Sequence, residues 1–215
     1  MPPKLLTAPT WFFDHPHPEI QKRLAAWLQG LDDPTARAVR LFYEVRDGWR
    51  YNPYRISFRR EDWRASAILQ REEGHCLEKA ILLIAFLRGA GIPARLHLAK
   101  VKNHIAVERM IEKFGNDELT PHGFVELWLG GRWLKVVPAF NRELCERIGV
   151  EPLEFDGSAD AMFQQFDRRG NRFMEYLEDY GAFDDVPLDF IFRNMHENYP
   201  ALKEWLQGRE VLVFE

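Results

Sequence analysis

The fold of this chain is decided by the stretch Gly74-His75-Cys76-Leu77-Glu78-Lys79-Ala80-Ile81-Leu82-Leu83-Ile84-Ala85-Phe86-Leu87-Arg88. Its apolar residues fall on every face of a helix, a pattern that predicts a buried helix. Gly91 and Pro93 predict the end of this helix, and Ala94 to Val101 is predicted to be a strand. Cys76 would then lie at the helix N-terminus, where free backbone N–H groups and the helix dipole favour a thiolate and lower the thiol pKa. Cys76 is therefore the predicted nucleophile.

The strongest β pattern in the chain predicts a hairpin. Two β-rich runs, at 122–129 and 132–137, are separated by Gly130-Gly131, and a two-residue glycine loop is typical of a tight hairpin. One register brings an aromatic pair and an opposite-charge pair face to face, which favours it over a slipped register. Its pairs are Leu129 with Arg132, Trp128 with Trp133, Leu127 with Leu134, Glu126 with Lys135 and Val125 with Val136.

Two motifs stand in order along the chain. They are Gly74-x-Cys76-x-x-Lys79-Ala80-x-Leu82-Leu83, followed by Gly91-Ile92-Pro93-Ala94-Arg95, and His122-x-Phe124-x-Glu126-x-Trp128-x-Gly130-x-x-Trp133. Together they resemble the bacterial transglutaminase-like domains of the papain-like superfamily, and the resemblance runs from about Asp32 to about Phe140. It implies an α+β fold in which a buried helix with an N-terminal cysteine packs on an antiparallel sheet.

The resemblance also implies a Cys-His-Asp triad for acyl transfer from amides, as in peptidases, transglutaminases and deamidases, although some members have lost activity. Cys76 and His122 match the first two members, but the family's aspartate falls at Val137, which has no acceptor for an imidazole. If the hairpin register continues, Val137 and Asn141 are the two diagonal neighbours of His122. The amide oxygen of Asn141 is therefore the predicted acceptor for the imidazole.

An oxyanion site completes the predicted chemistry. The backbone N–H of Cys76 is its main predicted donor, with help from Trp63 or Tyr51. One hypothesis is a transglutaminase-like cysteine enzyme that acts on an amide or peptide bond through a thioester, by hydrolysis or by transfer to an amine. The alternative is an inactive module of the same fold that binds a peptide or protein, which Val137 favours. The expected ligand is a peptide, a protein or a small amide.

Composition excludes several other classes of function. The 215 residues carry a net charge of -4, with 46% apolar and 29% charged residues, and without a polybasic patch no nucleic acid partner is expected. The longest apolar run, 80–87, is too short to span a membrane, and the sequence predicts a cytoplasmic protein without a signal peptide. Two cysteines predict no disulfide framework. The other histidines lack metal-ligand spacing and there is no phosphate loop, so no metal or cofactor is expected.

Three parts of the chain are predicted. Residues 1–31 form an arm, which docks through the rings of residues 11–13, and an amphipathic helix. Residues 32–141 form the transglutaminase-like core, which begins with a helix at Asp33-Pro34. Residues 142–215 form a helical C-terminal cap on the core, including a short helix at 159–166 and a helix from about 187 to 198.

Overall fold

The computed structural model describes residues 4–105, 107–163, 165–200, 202, 206, 208 and 210–214. The predicted mixed α+β fold class is confirmed. The α-helices are α1 (Pro18–Trp27), α2 (Pro34–Gly48), α3 (Ala65–Leu69), α4 (Cys76–Gly89), α5 (Glu108–Phe114), α6 (Arg142–Ile148) and α7 (Leu188–Asn198). The strands are β1 (Arg50–Tyr51), β2 (Arg55–Ser57), β3 (Glu73–Gly74), β4 (Ala94–Asn103), β5 (Glu118–Leu129), β6 (Arg132–Val136), β7 (Met174–Phe183) and β8 (Val211–Val213).

Helix α4 is the buried centre of the molecule and begins at Cys76, as predicted. His75 caps it: the ring Nδ1 accepts from the backbone N–H of Glu78 at 3.5 Å, and the Glu78 carboxylate accepts from the His75 N–H at 3.1 Å. This capping box satisfies two backbone donors at the end of the helix that carries the thiol. Every residue from Cys76 to Arg88 is buried, in agreement with the apolar pattern on all faces.

Lys79 fixes α4 to its surroundings. Its fully buried ammonium group donates to the backbone carbonyls of Arg46 at 2.8 Å, Trp49 at 2.7 Å and Ala139 at 2.7 Å. The first two carbonyls lie at and just beyond the end of α2, and the third lies in the segment between β6 and α6. All three donors of the ammonium group therefore join α4 to two other parts of the core.

The main sheet is antiparallel, with the strand order β6-β5-β4-β7. All five predicted pairs of the β5–β6 hairpin are confirmed. The rings of Trp128 and Trp133 pack edge to face with centroids 5.5 Å apart. The predicted opposition of Glu126 and Lys135 is also confirmed, although their charged groups are 3.9 Å apart and Glu126 has closer partners on β4.

The C-terminal region is more closely joined to the core than an appended helical cap would be. Helices α6 and α7 agree with the prediction, but β7 occupies the edge of the main sheet beside β4, and β8 pairs with β2. The predicted helix at 159–166 is wrong over the described residues. Ala161 instead bridges Val136, and its N–H donates to the carbonyl of Lys135 at 2.8 Å. Pairing with the hairpin edge overrides the local helix propensity.

The N-terminal arm docks on the body through two of the three predicted rings. Phe12 and Phe13 are buried, and the Arg88 guanidinium lies 4.5 Å from the centroid of the Phe13 ring, whereas Trp11 is exposed. The cap predicted for α2 is confirmed, because a carboxylate oxygen of Asp33 accepts from the backbone N–H of Ala36 at 2.8 Å.

Candidate active site

The first turn of α4 lies directly against β5 at Gly123. A Cβ atom at this position would be 2.6 Å from Cδ2 of Leu77 and 3.1 Å from its Cα, so a side chain would push the helix away from the strand. Gly123 immediately follows His122, and Leu77 immediately follows Cys76, so the backbone segments that carry the two predicted catalytic residues lie close together. Neither ring nitrogen of His122 makes a hydrogen bond to the Cys76 thiol. Sequence reasoning missed Gly123, although a glycine inside a strand is a recognised signal of close backbone approach.

Burial favours the protonated form of the Cys76 thiol. Its residue is 6% exposed, and burial raises the thiol pKa to about 11. The backbone N–H groups of Gly123, Leu77 and Cys76 itself favour the anion, but their effect is smaller. The predicted lowering of the pKa is therefore wrong for this state, because loss of hydration outweighs the donors at the helix N-terminus.

His122 is buried without a polar partner. It pairs with Ala99 on β4, its residue is 1% exposed, and neither ring nitrogen has a hydrogen-bond partner among the described residues. Its ring lies 5.5 Å from that of Phe163 and 6.5 Å from that of Tyr176, measured between centroids. Burial lowers the pKa of His122 to about 3, so the imidazole is neutral.

The predicted hydrogen bond from His122 to Asn141 is not formed. Asn141 is the N-cap of α6, and its side-chain oxygen accepts from the backbone N–H of Tyr51 at 3.1 Å. The register that suggested the bond ends at the pair Val125–Val136, after which the chain leaves the ladder. A catalytic role for Asn141 stays a prediction, and it requires a movement of this side chain.

Val137, at the position of the family's aspartate, supplies no substitute. The residue is 1% exposed, and its backbone N–H donates to the carbonyl of Ala161 at 2.9 Å. A valine side chain offers no hydrogen-bond acceptor to His122.

The two predicted helpers of the oxyanion site differ in their surroundings. The single N–H of the Trp63 ring donates to the carbonyl of Ser57 at 2.9 Å, so the prediction that it binds an oxyanion is wrong for this geometry. Tyr51 lines the same cavity as Cys76. Burial, with a smaller electrostatic contribution from Cys76, raises the pKa of Tyr51 well above its ordinary value. Tyr51 remains a predicted donor in its protonated form.

Two further tyrosines near the thiol were missed by the sequence reasoning. Burial raises the pKa values of Tyr176 and Tyr199, and Cys76 adds a smaller effect to each. The Tyr199 hydroxyl accepts from the backbone N–H of Thr120 at 2.7 Å and donates to the carbonyl of Glu118 at 2.8 Å. Both tyrosines come from the C-terminal region, which the recognised motifs do not cover, so no motif pointed to them.

Cys76 borders a small cavity of about 50 Å³, which lies next to a cleft of about 740 Å³. Tyr51, Pro53 and Leu119 line both spaces. These three residues therefore form a common boundary of the two spaces.

Within the described ranges, no group of three or more His, Cys, Asp or Glu side chains is arranged to hold a metal ion. Among the same residues, no helix has both the length and the apolar character that crossing a bilayer requires.

Comparison with known proteins adds to this geometry. The sequence model of the transglutaminase-like superfamily matches residues 22–138, just over half of the chain. No curated protein sequence matches the chain significantly. A solved structure described as a "Putative Cysteine Protease" from Cytophaga hutchinsonii has 15% sequence identity and a TM-score of 0.46. That match covers 83% of this chain and 53% of the other, so this chain spans about half the length of that protein.

Proposed function

This chain belongs to the transglutaminase-like superfamily, and we propose that it is a cysteine enzyme that transfers or hydrolyses the acyl group of an amide or peptide bond. Cys76 is the nucleophile and His122 moves the proton. The acyl acceptor is water or an amine.

The observation that carries this proposal is the buried imidazole of His122. Both of its nitrogens lack partners among the described residues, and a buried polar group without a hydrogen bond costs about 1–3 kcal/mol. An apolar ring would suit the aromatic surroundings of this site better. Unsatisfied buried groups call for an explanation, and a role in chemistry beside a thiol provides one.

The proposed reaction begins when Sγ of Cys76 attacks the carbonyl carbon of the amide and His122 takes the thiol proton. The C–N bond then breaks as that proton passes to the leaving nitrogen, which gives a thioester and a free amine. Water or a second amine attacks the thioester next. His122 takes the proton of this nucleophile and returns it to the sulfur, so the enzyme is regenerated.

The structure represents the closed, resting form in this proposal. A thiol with a pKa of about 11 and an imidazole with a pKa of about 3 do not form an ion pair before substrate binds. In this proposal, substrate binding exposes both groups to water. Hydration shifts both pKa values back towards their ordinary range, which permits proton transfer.

Cys145 provides an internal control for a test of this proposal. It is also buried, and its thiol pKa is also raised to about 11. We expect N-acetyl-leucine chloromethyl ketone at pH 7.5 to alkylate Cys76 at least about tenfold faster than Cys145, because this proposal gives only Cys76 an imidazole that takes its proton. Peptide mapping by mass spectrometry measures both rates. Equal, slow labelling of the two thiols would contradict the proposal.

A second function, an inactive peptide-binding module, is favoured by Val137 and by the absence of a hydrogen bond between Asn141 and His122. In that case Cys76 and His122 are remnants of an ancestral site. A peptide would then bind in the 740 Å³ cleft without being cleaved, and the His122→Ala variant would bind it as tightly as the wild type. Equal binding to the wild type and to His122→Ala, with no product from either protein, would support this second function.

A further inference from the structure

We propose that the 50 Å³ cavity beside Cys76 is the pocket for the acyl donor's side chain, and that it selects a small aliphatic side chain of the size of leucine. This inference rests on the proposed function, because it assigns a substrate class to the same site. It predicts that a donor with an apolar side chain next to the reacting carbonyl is preferred to one with glutamine.

The wall of the cavity is almost entirely apolar. It comes from separate elements of the fold: the N-terminus of α4, the segment between β1 and β2, β2 itself, α5, β5 and the C-terminal region. Its residues are Tyr51, Pro53, Ile56, His75, Cys76, Leu77, Phe114, Leu119, Thr120, Pro121, Met195 and Tyr199.

The polar groups of Thr120 and Tyr199 in this wall already have partners. The Thr120 hydroxyl donates to the side-chain oxygen of Asn194 at 2.8 Å, and its N–H donates to the Tyr199 hydroxyl. That hydroxyl donates in turn to the carbonyl of Glu118. A polar side chain entering the cavity would therefore find neither of these groups free.

His75 contributes one unpaired polar atom to the wall. Its Nδ1 accepts from the Glu78 N–H as the helix cap, whereas its buried Nε2 has no hydrogen-bond partner among the described residues and lies 3.6 Å from the Glu78 carboxylate. Burial lowers the pKa of His75, so the ring adds no positive charge to the cavity. The wall thus offers no charge that would favour an anionic acyl donor.

The size of the cavity sets the size of its occupant. A cavity of about 150 Å³ lined by apolar side chains accepts benzene. A cavity of about 50 Å³ is therefore too small for a phenyl ring without movement of its wall, and it suits a short aliphatic group.

Selection against glutamine follows from the same wall. A carboxamide that enters the cavity leaves its hydrogen bonds to water and finds few replacements. A loss of this kind corresponds to about 5- to 150-fold in affinity. The cavity therefore distinguishes donors by the polarity of the side chain as well as by its size.

The test measures binding without chemistry, in a Cys76→Ser variant with ¹³C-labelled methionine methyl groups. N-acetyl-leucine amide, N-acetyl-glutamine amide and N-acetyl-phenylalanine amide are titrated separately, and the Met195 methyl signal is followed by NMR. We expect the leucine amide to shift this signal and to bind at least about tenfold more tightly than the other two. Equal or tighter binding of the glutamine amide would overturn the proposal, as would a leucine amide that leaves the Met195 signal unchanged.

A matched pair of variants checks the wall directly. Met195 and Met110 are both buried methionines, but only Met195 lines the cavity, whereas Met110 lines the larger cleft. In the Cys76→Ser background, Met195→Ala should reverse the order of leucine and phenylalanine amides, and Met110→Ala should leave it unchanged. The same order in all three proteins would overturn the assignment of the pocket.

The two proposals fail in different ways. If no electrophile labels Cys76 in the wild-type protein while the leucine amide still binds at Met195, the enzymatic function fails and the pocket stands as a binding site. If Cys76 is labelled but glutamine-type reagents label it fastest, the function stands and the assignment of the pocket fails.

Discussion

Two buried histidines on neighbouring strands of the main sheet have opposite surroundings. On β4, Nδ1 of His97 lies 2.7 Å from a carboxylate oxygen of Glu126, and Nε2 lies 2.6 Å from a carboxylate oxygen of Asp179. Arg95 donates to the other oxygen of Glu126 at 2.7 Å. On β5, neither nitrogen of His122 has a partner among the described residues.

The difference agrees with a structural role for His97 and with the chemical role that we propose for His122. The His97 cluster joins β4 to β5 through Glu126 and to β7 through Asp179, and its ring stacks on Phe124 with centroids 4.4 Å apart. Both ring nitrogens of this buried imidazole are paired, and such a network favours one arrangement of the strands. His122 makes no such bonds, and its ring nitrogens remain available to a thiol and a substrate. Variants of the two residues are therefore expected to affect different properties.

The largest expected effect is on activity. His122→Ala should lower the rate of acyl transfer by about 10²–10⁴-fold, because it removes the group that is proposed to move the proton. His97→Ala should lower the stability of the fold while the folded fraction keeps a rate close to that of the wild type. Steady-state kinetics with an N-acetyl-leucine anilide, corrected for the folded fraction, measures both rates. If His122→Ala and His97→Ala lost activity equally, the proposed difference between the two histidines would be contradicted.

The next effect is on stability. Glu126→Gln removes the charge that His97 and Arg95 share, and we expect it to lower the free energy of unfolding by about 3 kcal/mol, as for other broken buried pairs. His122→Phe should leave the stability unchanged or raise it, because an apolar ring replaces an unpaired polar one beside Phe163. Urea denaturation measures both. A large loss in His122→Phe would show that the imidazole has a structural partner.

A smaller change tests how His122 is brought to the thiol. Gly123→Ala should lower stability by about 1–3 kcal/mol and activity by about 10²-fold, because the new methyl group displaces the first turn of α4 from β5. Gly48→Ala is the control, since a Cβ atom there has nothing within 4 Å. Denaturation and kinetics of both variants provide the measurement. If Gly123→Ala behaved like Gly48→Ala, the close approach would not position the site.

The last effect is on the pH dependence of stability. The pKa of His122 is about 3 in the folded protein and 6.5 in the unfolded chain, so between these values only the unfolded chain binds the proton. Its contribution to stability is therefore complete above pH 6.5 and is lost as pH falls towards 3, by up to about 1.4 kcal/mol per pH unit. Unfolding measured at pH 6.5 and pH 4.5 should show a smaller loss in His122→Phe than in the wild type. Equal losses would mean that His122 titrates normally.

Local patterns predicted the elements that carry Cys76 and His122. Helix α4, its start at Cys76 and the register of the β5–β6 hairpin follow from helix periodicity, capping and cross-strand pairing, which depend on residues close in sequence. The predicted pairing of Asn141 with His122 failed because it extended the ladder beyond its last pair. Tertiary contacts decide the path of the chain after a strand ends. One of them is the hydrogen bond from the backbone N–H of Val137 to the carbonyl of Ala161.

Strand β7 was missed for a different reason. Its sequence, Met174 to Phe183, has no simple alternation of buried and exposed residues, and its pairing with β4 shifts register twice. The His97 cluster was missed too, since its carboxylates lie 29 and 82 positions away in sequence. The raised pKa of Cys76 was also beyond sequence reasoning, because it depends on burial beneath residues from α5, α7 and the C-terminal region.

The central claim, that Cys76 and His122 form a reaction centre, is tested most directly by trapping the acyl-enzyme. The wild-type protein, Cys76→Ser and His122→Ala are mixed with the p-nitrophenyl ester of N-acetyl-leucine at pH 7.5, quenched in acid and examined by intact mass spectrometry and peptide mapping. We expect a mass increase of one N-acetyl-leucyl group on Cys76 in the wild type, none in Cys76→Ser, and formation at least about 10²-fold slower in His122→Ala. An unmodified Cys76 in the wild type, or equal acylation of Cys76 and Cys145, would contradict the claim.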